Sequence, residues 1–255
     1  MTTPGFKDLF SEAAAGYARH RPSYPIAVVD ALAGIAPSRA VAWDCGCGSG
    51  QLSTMLAERF ARVIATDASR AQVDAAPAHE RIDYRVAEAE ASGIEDGTVD
   101  LAVAAQAAHW FDLPRYYAEV RRVATPGAAI ALVTYALMRV TPEIDVVIDD
   151  FYTRVLAPFW PVERRHVDTH YRSLAFPFDE IPMPPIEMRT TWAVADVEGY
   201  VGTWSAVRAM TKAEGRARVD AFLERLRAVW GDQDSARTAR LAITIRAGRV
   251  SPLRS

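Results

Sequence analysis

The 255-residue sequence contains only two cysteines, Cys45 and Cys47, one residue apart between glycines. That spacing is too close for ordinary disulfide geometry and has no companion ligands for zinc. Both thiols are therefore expected to be small fillers of a tight loop, and no metal site is expected. No stretch approaches the ~20 apolar residues of a membrane span. The N-terminal MTTPGFKDLFSEAAAGYARHRP also lacks the basic start and apolar run of a secretory signal, so a cytoplasmic location is expected. There is little net charge. With 29 basic and 32 acidic residues the balance is −3, which gives no field to draw the chain to nucleic acid or an acidic membrane. What remains is small-molecule chemistry on a chain that is 50% hydrophobic, enough to bury a core without staples.

Short apolar runs recur between helical patterns: Ala40–Trp43, Val63–Thr66, Ile82–Val86, Leu101–Ala105 and Ile130–Thr134. All but Ile82–Val86, where Asp83 and Arg85 intervene, are apolar rather than alternating, as strands of a parallel sheet covered on both faces are expected to be. Helices are expected over Leu52–Phe60, Ala68–Ala75 and Pro114–Val123, the last with Asp112 as N-cap and Pro114 in the first turn. After Thr134 the rhythm breaks. Residues 138–186, rich in Pro, aromatics and Arg, read as an insertion between a 37–137 core, preceded by a 1–36 lid and first helix, and a 187–255 remainder. That remainder offers strands at Met188–Ala193 and Leu241–Ile245. Between them lies a helix with Val219, Phe222, Leu223, Leu226, Val229 and Trp230 on one face.

The most informative string is AVAWDCGCGSGQLSTML, where a strand ends at Asp44 and the chain passes through Gly46, Gly48 and Gly50 into a helix. Glycines there let the backbone approach a ligand, and such a turn points free N–H groups to the carboxyl end of the sheet. A dinucleotide fingerprint fails, because Gln51 or Ser53 falls where its last glycine belongs. The string instead resembles the first motif of the class I S-adenosylmethionine-dependent methyltransferases, an acidic residue followed by Gly-x-Gly-x-Gly. The resemblance extends to VIATDAS, where Asp67 matches the acidic residue that holds the ribose hydroxyls. In RVAEAEA, Ala89 and Glu90 match positions beside the adenine, with Glu88 preceding them, and AAQAAHWFD and RRVATPGAAIALV resemble the fourth and fifth strands. It implies a doubly wound α/β fold with a seven-stranded, mostly parallel sheet and a substrate-domain insertion after the fifth strand. S-adenosylmethionine would be the cofactor, with S-adenosylhomocysteine as product.

YARHRPSYP, QAAHWFDLPRYYAEVRRV and YVGTWSAVRA followed by WGD are similar to the type 11 group that includes trans-aconitate methyltransferase and related small-acid methyltransferases. From this, Tyr17 is expected beside the cofactor and Gln106 beside substrate or the cofactor's amino-acid part. Tyr17, Arg21 and Tyr24 form either a lid or a docked arm. His109, followed by Trp110 and Phe111, is the candidate catalytic residue. Arg21, Tyr24, Trp110, Trp204 and, among the arginines that include Arg164 and Arg172, Arg165 and Arg208 are candidates for an anionic small-molecule substrate, since a guanidinium can grip a carboxylate in a two-pronged way. A carboxylate acceptor is already ionised at neutral pH and needs no base. A hydroxyl or amine would make His109 the base, and a non-catalytic cofactor-binding protein is a further alternative. The oligomeric state is open.

Overall fold

The computed structural model describes residues 22–251. Five strands run parallel: β1 (Val41–Cys45), β2 (Arg62–Asp67), β3 (Ile82–Val86), β4 (Val99–Ala105) and β5 (Ala124–Tyr135). Three more complete the sheet: β6 (Asp179–Ile181), β7 (Ile186–Trp192) and β8 (Arg237–Arg249). The order is β3-β2-β1-β4-β5-β8-β6, with β7 also pairing with β8. β8 runs antiparallel to β5, and β6 and β7 share its other edge. The sheet is thus mixed and eight-stranded rather than seven-stranded. β6 escaped the sequence reading because three residues, two of them exposed acids, carry no periodic signal.

Strand residues alternate between two cores. Trp43, Ile64, Ala102, Ile130 and Leu132 pack on one face against Tyr116 and Val120 of α4 (Leu113–Val123). The α4 helix starts as expected, with the Asp112 carboxylate accepting from Arg115 N–H. Ala42, Val63, Leu101, Val103 and Val133 face a larger cluster. That cluster includes α1 (Ile26–Ile35), α2 (Gln51–Leu56), α5 (Pro142–Asp150) and, between β7 and β8, α7 (Val194–Gly202), α8 (Ser205–Glu214) and α9 (Ala217–Trp230). The remaining short helices are α3 (Arg70–Asp74) and α6 (Arg164–Asp168).

The helical layer is therefore woven from two excursions of the chain that share one core. Phe151, in a π-helical turn after α5, stacks on Phe222 of α9 at 3.9 Å. On α9, Val219, Phe222, Leu226 and Trp230 are buried as expected, but Val229 is exposed, lying off the stripe that starts at Val219. Elsewhere Asp100, at the foot of β4, accepts from Ser38 Oγ and from Ala40 and Val41 N–H, which ties the start of β1 to its neighbour. The order in which the strands are laid down reverses between β1 and β4, and the carboxyl ends there are the usual ligand position of an open α/β sheet.

Candidate functional site

At that edge β1 ends in Asp44 and Cys45, β2 in Asp67, and β4 in Ala105 followed by Gln106, while β5 brings Thr134 and Tyr135. All three glycines of the loop are left-handed, with φ of 70°, 55° and 80° for Gly46, Gly48 and Gly50. Their surroundings differ. A Cβ on Gly46 would lie 2.5 Å from Ala107 Cβ, and one on Gly50 would run into the Tyr84 ring at 2.8 Å. On Gly48 the one contact among the described residues would be with Gln72 Oε1, at 3.7 Å. Two glycines are thus required by protein packing, whereas Gly48 is uncrowded among the described residues. The expectation of free N–H groups also changes: Gly46 and Cys47 N–H both donate to Thr66 O, Gly48 N–H donates to Asp67 at 2.9 Å, and Gly50 N–H donates to Cys47 O. A tight buried turn satisfies its own donors first.

What the loop presents is therefore carboxylate chemistry. Asp67 accepts from Gly48 N–H with one oxygen and from Ser69 N–H with the other, at 2.8 Å, so both oxygens are oriented by the backbone at the sheet edge. Asp44 is buried and accepts from Ser53 Oγ at 2.6 Å. Burial pushes its carboxyl up to about 7, the Ser53 hydrogen bond opposes this, and the nearby Asp67 charge adds to it. A buried acid held near its titration point suits a cationic ligand, and a sulfonium carrying an α-ammonium is one. The donor set, the uncrowded Gly48 and the absence of a dinucleotide glycine pattern fit S-adenosylmethionine. The two thiols sit where filler belongs, Cys45 buried and Cys47 partly so, and burial holds both far above the ordinary thiol range.

Ala89 is buried, while Glu90 accepts from Asp112 N–H at 2.7 Å and so ties its loop to the start of α4; Glu88 is exposed. Tyr17 and Arg21 lie outside the described residues. Tyr24 is buried edge-on against Tyr135 at 6.2 Å, and Pro22 O accepts from Gln51 Nε2, so residues 22–24 cross the sheet edge beside the glycine loop.

Beyond β4, a hydrogen-bonded group assembles residues that the sequence keeps far apart. His109 Nδ1 lies 2.8 Å from the hydroxyl of Tyr171, which is fully buried with Thr134 beside it; Thr134 Oγ1 donates to Gln106 Oε1 at 3.3 Å. Among the described residues, the only non-glycine positions with positive φ are Gln106, His170 and Tyr171, at 55°, 54° and 60°. All three belong to or adjoin this group, and strained backbone of this kind is held where surrounding structure over-determines it. Burial pushes the Tyr171 hydroxyl well above its usual range, so it stays neutral. Thr134, His170 and Tyr171 were not legible as site residues, since no motif surrounds them.

Trp110 lies beside His109, with ring centroids 4.9 Å apart. Trp204 is buried in an aromatic cluster with Tyr152, Trp160 and Tyr200, and Arg208 is partly buried on α8. Behind Tyr135 and His170 opens a cavity of about 690 Å³. Arg164 lines it, whereas the expected Arg165 is exposed. On a helix, neighbours point about 100° apart, and a five-residue helix gives no periodicity from which to choose between them.

Comparison with known proteins agrees with the geometry. Residues 43–132 match the family described as "Methyltransferase domain". A Dictyostelium discoideum protein named as a methyltransferase is 31% identical over 226 residues, 84% of each chain. A Mycobacterium tuberculosis protein, also named as a methyltransferase, is 39% identical over 127 residues, 49% of this chain and 51% of its own. A solved structure from Anaeromyxobacter dehalogenans, described as a type II methyltransferase, is 49% identical with a TM-score of 0.85, covering 91% of this chain and 99% of that one.

Proposed function

The chain belongs to the class I S-adenosylmethionine-dependent methyltransferases, and from that premise we propose that it methylates a carboxylate oxygen of a small organic acid bound beside Gln106, His109 and Tyr171. Bound S-adenosylmethionine supplies an electrophilic methyl group on a sulfonium. In this reading Asp67 takes the ribose hydroxyls, Ala89 and Glu90 border the adenine, and the turn through Gly46, Gly48 and Gly50 leaves room at Gly48. Asp44, once ionised, offsets the cofactor's positive charge. Tyr17 and Tyr24 cover the site, and Gln106 orients the acceptor or the cofactor's amino-acid end. Arg21, Trp110, Trp204 and Arg208 are proposed to border the acceptor, within a wall formed largely by residues 138–186.

The observation that carries the carboxylate reading is the partner of His109. An imidazole that must take a proton is usually backed by a carboxylate, which stabilises the imidazolium. Here Nδ1 meets a buried, neutral tyrosine hydroxyl. That partner orients the ring and, unlike a carboxylate, carries no charge to stabilise an imidazolium. It suits an acceptor that arrives ionised, as an acid with pKa near ~4 does at neutral pH. The resemblance to small-acid methyltransferases supports the same class. The same hydrogen bond also fixes the imidazole, and this favours a second reading in which His109 deprotonates a hydroxyl or amine.

A panel of small acids, with their amides and esters, separates the two when assayed with labelled cofactor across pH. Acids should be methylated and their derivatives left untouched, with the rate sustained well below about pH 6, where histidine is protonated. A rate falling with an apparent pKa near ~6.5, lost in His109→Ala while cofactor and acceptor still bind, would replace the carboxylate reading with the histidine-base one.

A further inference from the structure

We propose that Arg164 forms an anion subsite in the cavity behind Tyr135 and His170, holding a second carboxylate of the acceptor, distinct from the one methylated; the proposal rests on the small-acid reading above. The guanidinium is only partly buried, its side chain 27% exposed, and is committed along one edge. Nε donates to Tyr152 Oη at 2.6 Å and lies 3.5 Å from Asp168, which itself accepts from Tyr152 Oη. The plane lies over Trp160 and Tyr152, with Cζ 4.9 and 5.4 Å from the ring centroids. Aromatic faces hold a cation without consuming its N–H groups. Nη1 and Nη2 accordingly have no hydrogen-bond partner among the described residues, and the side chain lines the cavity.

The other charges around the cavity are differently disposed. Arg139 is engaged by both oxygens of Asp149 at 2.7 and 2.8 Å, Glu187 is bound to Arg189 at 2.6 Å, and Arg240 is exposed at the rim. Arg164 is thus the inward-held cation with its forked edge available, and a planar carboxylate is the group that matches two parallel donors. A carboxylate gripped at both oxygens has its lone pairs engaged and is a poor nucleophile. The anchored carboxylate is therefore not the reacting one, and the acceptor carries at least two acidic groups. The cavity lies at the carboxyl end of β5, since Tyr135, the last residue of that strand, lines it together with His170.

The test is titration of the protein, loaded with S-adenosylhomocysteine, with succinate, glutarate and adipate and with their diamides, by calorimetry. At least one dicarboxylate should bind saturably at millimolar concentration, and its diamide at least about tenfold more weakly. Arg164→Gln should weaken the acid by a similar factor while leaving S-adenosylhomocysteine affinity and the thermal midpoint unchanged; Arg165→Gln should bind normally. Because Arg164 sits among aromatic rings, Arg164→Lys is the second variant: it keeps charge and bulk, loses the fork, and should fall between the other two. No saturable dicarboxylate, equal binding of acid and diamide, or undiminished binding by a folded Arg164→Gln or Arg164→Lys protein would each overturn the subsite. Failure of the two readings differs: acids that bind through Arg164 but are never methylated sink the acceptor proposal alone. Acids methylated with unchanged KM by Arg164→Gln sink the subsite alone.

Discussion

At the scale of single residues, the two aspartates at the strand ends do different work. Asp67 is partly exposed and accepts from two backbone N–H groups, Gly48 and Ser69, which fix its carboxylate at the end of β2. Asp67→Ala should weaken S-adenosylmethionine by about 1.5–3 kcal/mol, the scale of hydrogen bonds to a charged group, as read by calorimetry. Unchanged affinity would remove the ribose role. Asp44 is governed by burial, which raises its carboxyl from 3.8 to about 7. An acid whose pKa is raised on folding binds its proton more tightly in the native state, so its contribution is present below the unfolded pKa and is lost as pH rises through the folded one. Cofactor-free protein should therefore lose stability between about pH 4 and pH 7, by an amount on the order of 4 kcal/mol, and level off above. Asp44→Asn should flatten that slope. The cation of the cofactor favours ionised Asp44, so S-adenosylmethionine should bind more tightly as pH rises towards 7, with proton release detectable in buffers of different ionisation enthalpy.

At the scale of elements, the turn from β1 to α2 is one motif with two kinds of glycine. Gly50 is crowded by Tyr84 of β3, and its φ of 80° is unfavourable for any L side chain. Gly50→Ala should therefore destabilise the fold by roughly 1–2 kcal/mol from the left-handed backbone plus about 1–3 kcal/mol from overpacking. In a Tyr84→Ala background the added cost of Gly50→Ala should shrink to the backbone part, as a double-mutant cycle of unfolding free energies would show. Gly48 is uncrowded among the described residues. Gly48→Val should leave a folded protein, destabilised only by its backbone strain, that no longer binds cofactor; normal binding by that variant would show that the turn does not border the ligand. The sequence made the turn legible, because glycine spacing and the strand before it are local. It did not show which glycine faces a ligand, because Tyr84, Ala107 and Phe111 arrive from other strands and loops.

At the scale of the whole molecule, the helical layer and the sheet share one hydrophobic cluster, running from Val63 and Val133 through Phe151 to Phe222 and Trp230. The two should unfold together. Urea transitions followed by far-ultraviolet circular dichroism and by tryptophan fluorescence should coincide, and Phe222→Ala should shift both by about 3–5 kcal/mol. Separated transitions, or a Phe222→Ala effect confined to fluorescence, would mean that the layer beyond β5 has its own core. Surface ion pairs add little by comparison, since Arg225 and Arg154 meet Asp150 where water and salt screen them.

The sequence by itself determined the parallel α/β core, the turn through Gly46, Gly48 and Gly50 with Asp67 at the end of the next strand, and the position of His109 at the sheet edge. Each is written in a contiguous stretch whose periodicity or spacing has a single structural solution. The tertiary structure decided the rest. It set Tyr171 on His109 across 62 positions of chain, gave the long β8 two partners on one edge, and turned Arg164 rather than Arg165 towards the cavity. Those outcomes depend on how the segment after β5 packs back over the sheet, and that is settled by burial and hydrogen-bond satisfaction summed over the whole chain rather than by any run of residues within it.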